Sequence, residues 1–131
     1  VNSLAQWAAL EAVTGDQSAL AAMRDEYAVR RDLLLSALTG IDGVRPFLPR
    51  GAFYVWAELD PALYARLGVS DADELADRLA ERGIGSAPGS AFGDASANAI
   101  RFAYSCATPM VRNGALALRE ALSSSRPLSV A

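Results

Sequence analysis

Histidine and lysine are both missing from this 131-residue sequence, and all twelve basic side chains are arginine. Their absence removes the commonest general base, the commonest metal ligand and the only side-chain amine able to form a Schiff base. Cysteine occurs once, as Cys106. An internal disulfide and a cluster of the usual zinc ligands are thereby excluded, and a reducing, cytoplasmic setting is expected. No apolar run approaches the roughly 18 to 20 residues that span a bilayer, and no basic n-region with an apolar h-region marks a signal peptide. The net charge of −3 leaves no electrostatic footprint for nucleic acid or an anionic membrane. No methionine precedes Val1, as expected of a domain cut from a longer protein.

What is present is a chain that is 52% hydrophobic, enough to close one core. Ser3 and Gln6 have capping-box spacing ahead of a short apolar helix that stops at Thr14-Gly15. Asp16 is placed to cap a second helix, from about Gln17 to Leu38, whose apolar residues Leu20, Met23, Tyr27, Leu34 and Leu38 recur at helical intervals. Its length suits a helix bridging two domains, although a plain edge helix fits equally well. Val44 to Leu48 reads as a strand, and Pro46 confines it to an edge or a kink. Ala52 to Leu59 reads as a central strand with bulky residues on both faces, hence covered on both sides. Gly51, just before it, is expected to take a special dihedral or allow a close backbone approach.

Asp60-Pro61 opens a short helix running to Gly68. Ser70 is placed to cap the next one, whose acidic run Asp71 to Asp77 is read as a solvated, dipole-matched N-terminus rather than a metal site. Gly83 ends it. Ile84 to Ala87 reads as a short strand, followed by the glycine-bearing loop Pro88–Gly93. That loop lacks the lysine of a phosphate loop. Thr108-Pro109 has the form of an N-cap and N1 pair opening a last helix to about Leu122, and Ser123 to Ala131 reads as a frayed tail. The order implies an α+β, or split α/β, fold: a small sheet of three to four strands covered by helices.

One stretch carries chemistry. Ala99 to Ser105 alternates, with Ile100, Phe102 and Tyr104 on one side and Arg101, Ala103 and Ser105 on the other. Arg101 thus stands as a planar, permanently charged fork between small neighbours. It is either a solvated surface arginine or a site for two parallel hydrogen bonds to a carboxylate. Ser105 and Cys106 read as structural, since the thiol has no basic neighbour in sequence to activate it.

Three motifs, in order, resemble the C-terminal small domain of class I and II aminotransferases, the fold-type-I enzymes that use pyridoxal phosphate. They are Pro49-Arg50-Gly51-Ala52-Phe53-Tyr54-Val55-Trp56, Pro88-Gly89-Ser90-Ala91-Phe92-Gly93 and Ile100-Arg101-Phe102-Ala103-Tyr104-Ser105. Asn2 to Ala9 also resembles the segment that leaves the large domain. The resemblance implies that residues 1–122 form the small domain, with residues 1–15 belonging to the junction with a large domain absent here and 123–131 a tail. It further implies that Arg101 binds the α-carboxylate of an amino acid or 2-oxo acid, that Phe53 stands near the substrate entrance, and that the intact protein is a homodimer. Pyridoxal 5'-phosphate and the catalytic lysine would belong to the large domain, leaving this chain alone inactive. The same residues suit a carbon–sulfur lyase or decarboxylase of this fold, or the ligand-binding half of an aminotransferase-like transcription regulator.

Overall fold

The computed structural model describes residues 2–128. Five helices and four strands follow in the order α1 (Ser3–Thr14), α2 (Ser18–Leu38), β1 (Val44–Pro46), β2 (Tyr54–Leu59), α3 (Pro61–Leu67), α4 (Ala72–Ala80), β3 (Ala87–Pro88), β4 (Ala99–Ala103) and α5 (Thr108–Ser123). The strands form one antiparallel sheet in the order β1-β2-β4-β3, so the α+β expectation is met. Pro46 does sit on an edge strand, where its missing N–H leaves no gap in the ladder.

Register decides the faces. Val55 pairs with Phe102 and Ala57 with Ile100, and all four are buried under the helices. They join Leu34 and Leu38 of α2, Leu63 and Leu67 of α3, Leu75 and Leu79 of α4, and Val111, Leu118 and Leu122 of α5 in one core. At about 25 cal/mol per Å² of apolar surface, each such fully buried side chain contributes roughly 1.5 to 3 kcal/mol. The opposite face holds Tyr54, Trp56 and Glu58, all half-buried. β2 is therefore central but not covered on both sides as its bulk suggested, because every packed helix lies on one side.

Several helix ends are capped one residue away from the expected position. α1 is capped by Asn2, whose Oδ1 accepts from the Ala5 N–H at 2.9 Å, rather than by Ser3. α4 is capped by Asp71, which accepts from Glu74, while Glu74 Oε2 accepts from the Ser70 N–H and hydroxyl. The two bonds from Ser70, followed by one from Arg78, hold the Glu74 carboxyl below its usual range. Thr108 is no cap. Its hydroxyl accepts from Arg30 Nε at 3.1 Å and donates to Glu26 Oε1 at 3.2 Å, tying the start of α5 to α2. At the C-terminal end of α2, the Arg119 guanidinium donates to the carbonyls of Ser36, Ala37 and Thr39.

Two other segments depart from expectation. Ile84 is buried but only Ala87 and Pro88 pair as a strand, since the chain pairs with β4 there alone. The stretch after α5 is not frayed as far as Leu128: that residue is buried, its N–H donates to the Leu67 carbonyl at 2.8 Å, and Pro127 closes on Gly68. The expectation for residues 129–131 lies outside the described residues.

Candidate functional site

Arg101 occupies the middle of β4 on the face away from the helices, directly opposite Trp56 of β2 and Ala87 of β3. The alternation in the sequence thus translates into geometry: Ile100, Phe102 and Tyr104 are buried and Arg101 is half-buried on the open side. Among the described residues no carboxylate pairs with it. Glu58, on the same face, is already bridged to Arg45 of the edge strand. Two aromatic rings hold the guanidinium instead. Its Cζ lies 4.2 Å from the Tyr54 ring centroid and 4.5 Å from that of Phe92. A ring face attracts the cation without consuming an N–H, so the donor fork remains available for an anion.

Phe92 comes from a 3-10 turn, Gly89–Phe92, in the second motif. The turn needs its glycine. A Cβ on Gly89 would stand 1.8 Å from the Ser96 carbonyl oxygen, so the backbone of this loop closes on itself. Ser90 donates to Asp73 Oδ1 at 2.7 Å, anchoring the turn to α4, and the Phe92 ring meets Trp56 edge-on with centroids 5.6 Å apart. The close backbone approach that Gly89 allows is thus made within the loop itself. Beside this cluster, a depression of about 450 Å³ is lined by Arg45, Trp56, Glu58, Asp60, Ser96 and Asn98 among others.

Phe53 is not brought to the Arg101 face. It precedes β2, is 38% exposed, and its ring stacks on Tyr27 of α2 at 6.3 Å. It stands in a groove of about 560 Å³ between the first half of α2 and the Arg50–Phe53 turn. Tyr54 links the two residues, for its ring contacts both Phe53, at 4.5 Å, and Arg101. The special dihedral expected at Gly51 falls on Ala52, with φ +57°. Tyr104 holds that kink: its hydroxyl donates to the Ala52 carbonyl at 3.2 Å and its N–H to the Phe53 carbonyl at 2.9 Å. Burial pushes the Tyr104 phenol up from its ordinary pKa, keeping it a donor. Cys106 is exposed and free. The acidic residues of α4 form no grouping able to hold a metal ion among the described residues.

Tyr54 and Phe92 were not singled out by sequence reasoning. The alternation of β2 assigns Tyr54 to the face of Trp56, but its proximity to Arg101 depends on the antiparallel register, which periodicity does not encode.

A family profile described as Aminotransferase class I and II matches residues 1–118. LL-diaminopimelate aminotransferase of Syntrophobacter fumaroxidans is 36% identical over 115 residues, which are 88% of this chain and 28% of that protein. Aspartate/prephenate aminotransferase of Thermus thermophilus is 35% identical over 114 residues, 85% of this chain and 27% of that protein. Among solved structures, aspartate aminotransferase from Thermus thermophilus with maleate superposes with a TM-score of 0.71 at 32% identity, over 92% of this chain and 30% of that one. Alanine aminotransferase from Pyrococcus furiosus, 23% identical, shares the fold with a TM-score of 0.76 over 92% of this chain and 30% of that one. The chain spans under a third of the length of the curated relatives it matches.

Proposed function

This chain belongs to the class I and II aminotransferases of fold type I, and from that premise we propose that residues 1–122 are the small domain of such an enzyme, with Arg101 gripping the α-carboxylate of an amino acid or 2-oxo acid. The observation that carries the reading is a half-buried guanidinium on an open sheet face, its charge held by two rings and its fork unclaimed by any carboxylate among the described residues. A planar fork orients a carboxylate through two parallel bonds, where a lysine would act only as a point charge. Phe53 is assigned to the margin of the substrate path, on the strength of its exposed edge beside Tyr54.

Pyridoxal phosphate, when bound to such an enzyme, supplies the electron sink at the substrate's α-carbon. The residues present here do not fit a covalent anchor for it, because the chain has no lysine. Cofactor attachment and proton transfer are therefore assigned to a large domain, and this chain to binding, orientation and closure. The exposed apolar residues of α1, Leu4, Trp7 and Val13, support contact of that helix with the rest of the enzyme. Family membership also favours a homodimer for the intact protein.

In the intact enzyme, Arg101→Ala is expected to raise KM for the amino acid by the loss of a charge-assisted pair, about 2 to 5 kcal/mol. Arg101→Lys should recover only part of this. Steady-state kinetics with a wild-type KM in Arg101→Ala would overturn the assignment.

A further inference from the structure

We propose that Tyr54 and Phe92 are positioning residues for the Arg101 guanidinium, an inference that rests on the carboxylate-binding reading above. An arginine has many rotamers, and one without an ion-pair partner must be ordered before it can accept a planar ligand bidentately. Here the ordering is built in beforehand. Tyr54 lies on β2 two residues from Trp56, the direct neighbour of Arg101 across the ladder, which brings its ring to 4.2 Å from Cζ. Phe92 approaches from a separate element to 4.5 Å.

The second ring is itself secured from three directions. Trp56 meets its edge, the Ser90–Asp73 hydrogen bond ties its turn to α4, and Gly89 lets that turn close against the Ser96 carbonyl. Phe92 is nonetheless 47% exposed, so its ring is not spent on filling the core. Rings suit this task because they hold the charge and leave all five N–H donors free, whereas a positioning carboxylate would occupy the fork that the substrate needs. The proline-glycine-x-x-phenylalanine-glycine loop thereby acquires a role: it delivers an aromatic face to the binding arginine.

The test is steady-state kinetics on the intact enzyme with Tyr54→Leu and Phe92→Leu, the ring-keeping Tyr54→Phe and Phe92→Tyr, and the Leu changes repeated in an Arg101→Ala background. Each Leu variant is expected to raise KM for the amino acid roughly 3- to 10-fold with kcat within about twofold. Ring-keeping variants should stay near wild type, and the Leu changes should have little further effect once Arg101 is gone. Wild-type KM in the Leu variants, alongside a raised KM in Arg101→Ala, would overturn the positioning role alone. So would full additivity with Arg101→Ala, or ring-keeping variants as impaired as the Leu ones. An unchanged KM in Arg101→Ala itself would instead remove the carboxylate reading, and this proposal with it. Phe92, on an exposed turn, carries the test by itself if the β2 variant fails to fold.

Discussion

At Ala52 the chain adopts a left-handed conformation, φ +57°, that its Cβ disfavours by about 1 to 2 kcal/mol. The neighbouring Gly51 would have accepted it freely, yet takes an ordinary φ and has open space where a Cβ would stand. Tyr104 fixes the kink through the Ala52 and Phe53 carbonyls, and the kink sets where Phe53 leaves the strand to stack on Tyr27. Ala52→Gly should relieve the strain at this position and stabilise the chain by roughly 1 kcal/mol, or less after the added chain entropy of glycine. Urea unfolding of the two proteins, compared at equal m, measures this. The sequence contained the motif but not the location of the strain, because a glycine beside an alanine draws the expectation to the wrong residue.

Among the elements, the 3-10 turn Gly89–Phe92 ties the fold most directly to the site. With the Ser96 oxygen at 1.8 Å from any Cβ on Gly89, backbone must move to admit a methyl group. Gly89→Ala is expected to destabilise the chain by about 2 kcal/mol or more, within the range of overpacking. It should also displace Phe92, so thermal melting and the KM for substrate should worsen together. Strand and helix identities were legible because they rest on local periodicity: Ile100, Phe102 and Tyr104 alternate, and Val111, Leu118 and Leu122 recur on one face. Helix starts were read less well. Asn2 and Asp71 each stand beside a serine of equal capping aptitude, and only the backbone angles choose between them. Thr108 was drawn away from a cap by Arg30 and Glu26, about 80 residues distant in sequence and invisible to any local rule.

At the scale of the whole molecule, one sheet face is buried under four helices and the other carries Arg101. Arginine's place on the open face could be read from alternation alone. The carboxylate-binding role proposed for it rests on motif resemblance, and its aromatic cradle on register, which a strand pattern does not specify. The docking of the tail as far as Leu128 leaves no trace in sequence because Leu128 is a single apolar residue in a stretch without periodicity, and its bond to the Leu67 carbonyl is a tertiary event. α1 stands apart from this core with none of its residues buried.

The central claim is that Arg101 reads a carboxylate. The most direct measurement is the ratio of kcat/KM for an α-amino acid to that for the amine lacking its carboxylate, in the intact enzyme and its Arg101→Ala variant. The substitution is expected to collapse this ratio by roughly 30-fold or more while leaving turnover of the amine nearly unchanged. A ratio that survives the loss of Arg101 would contradict it.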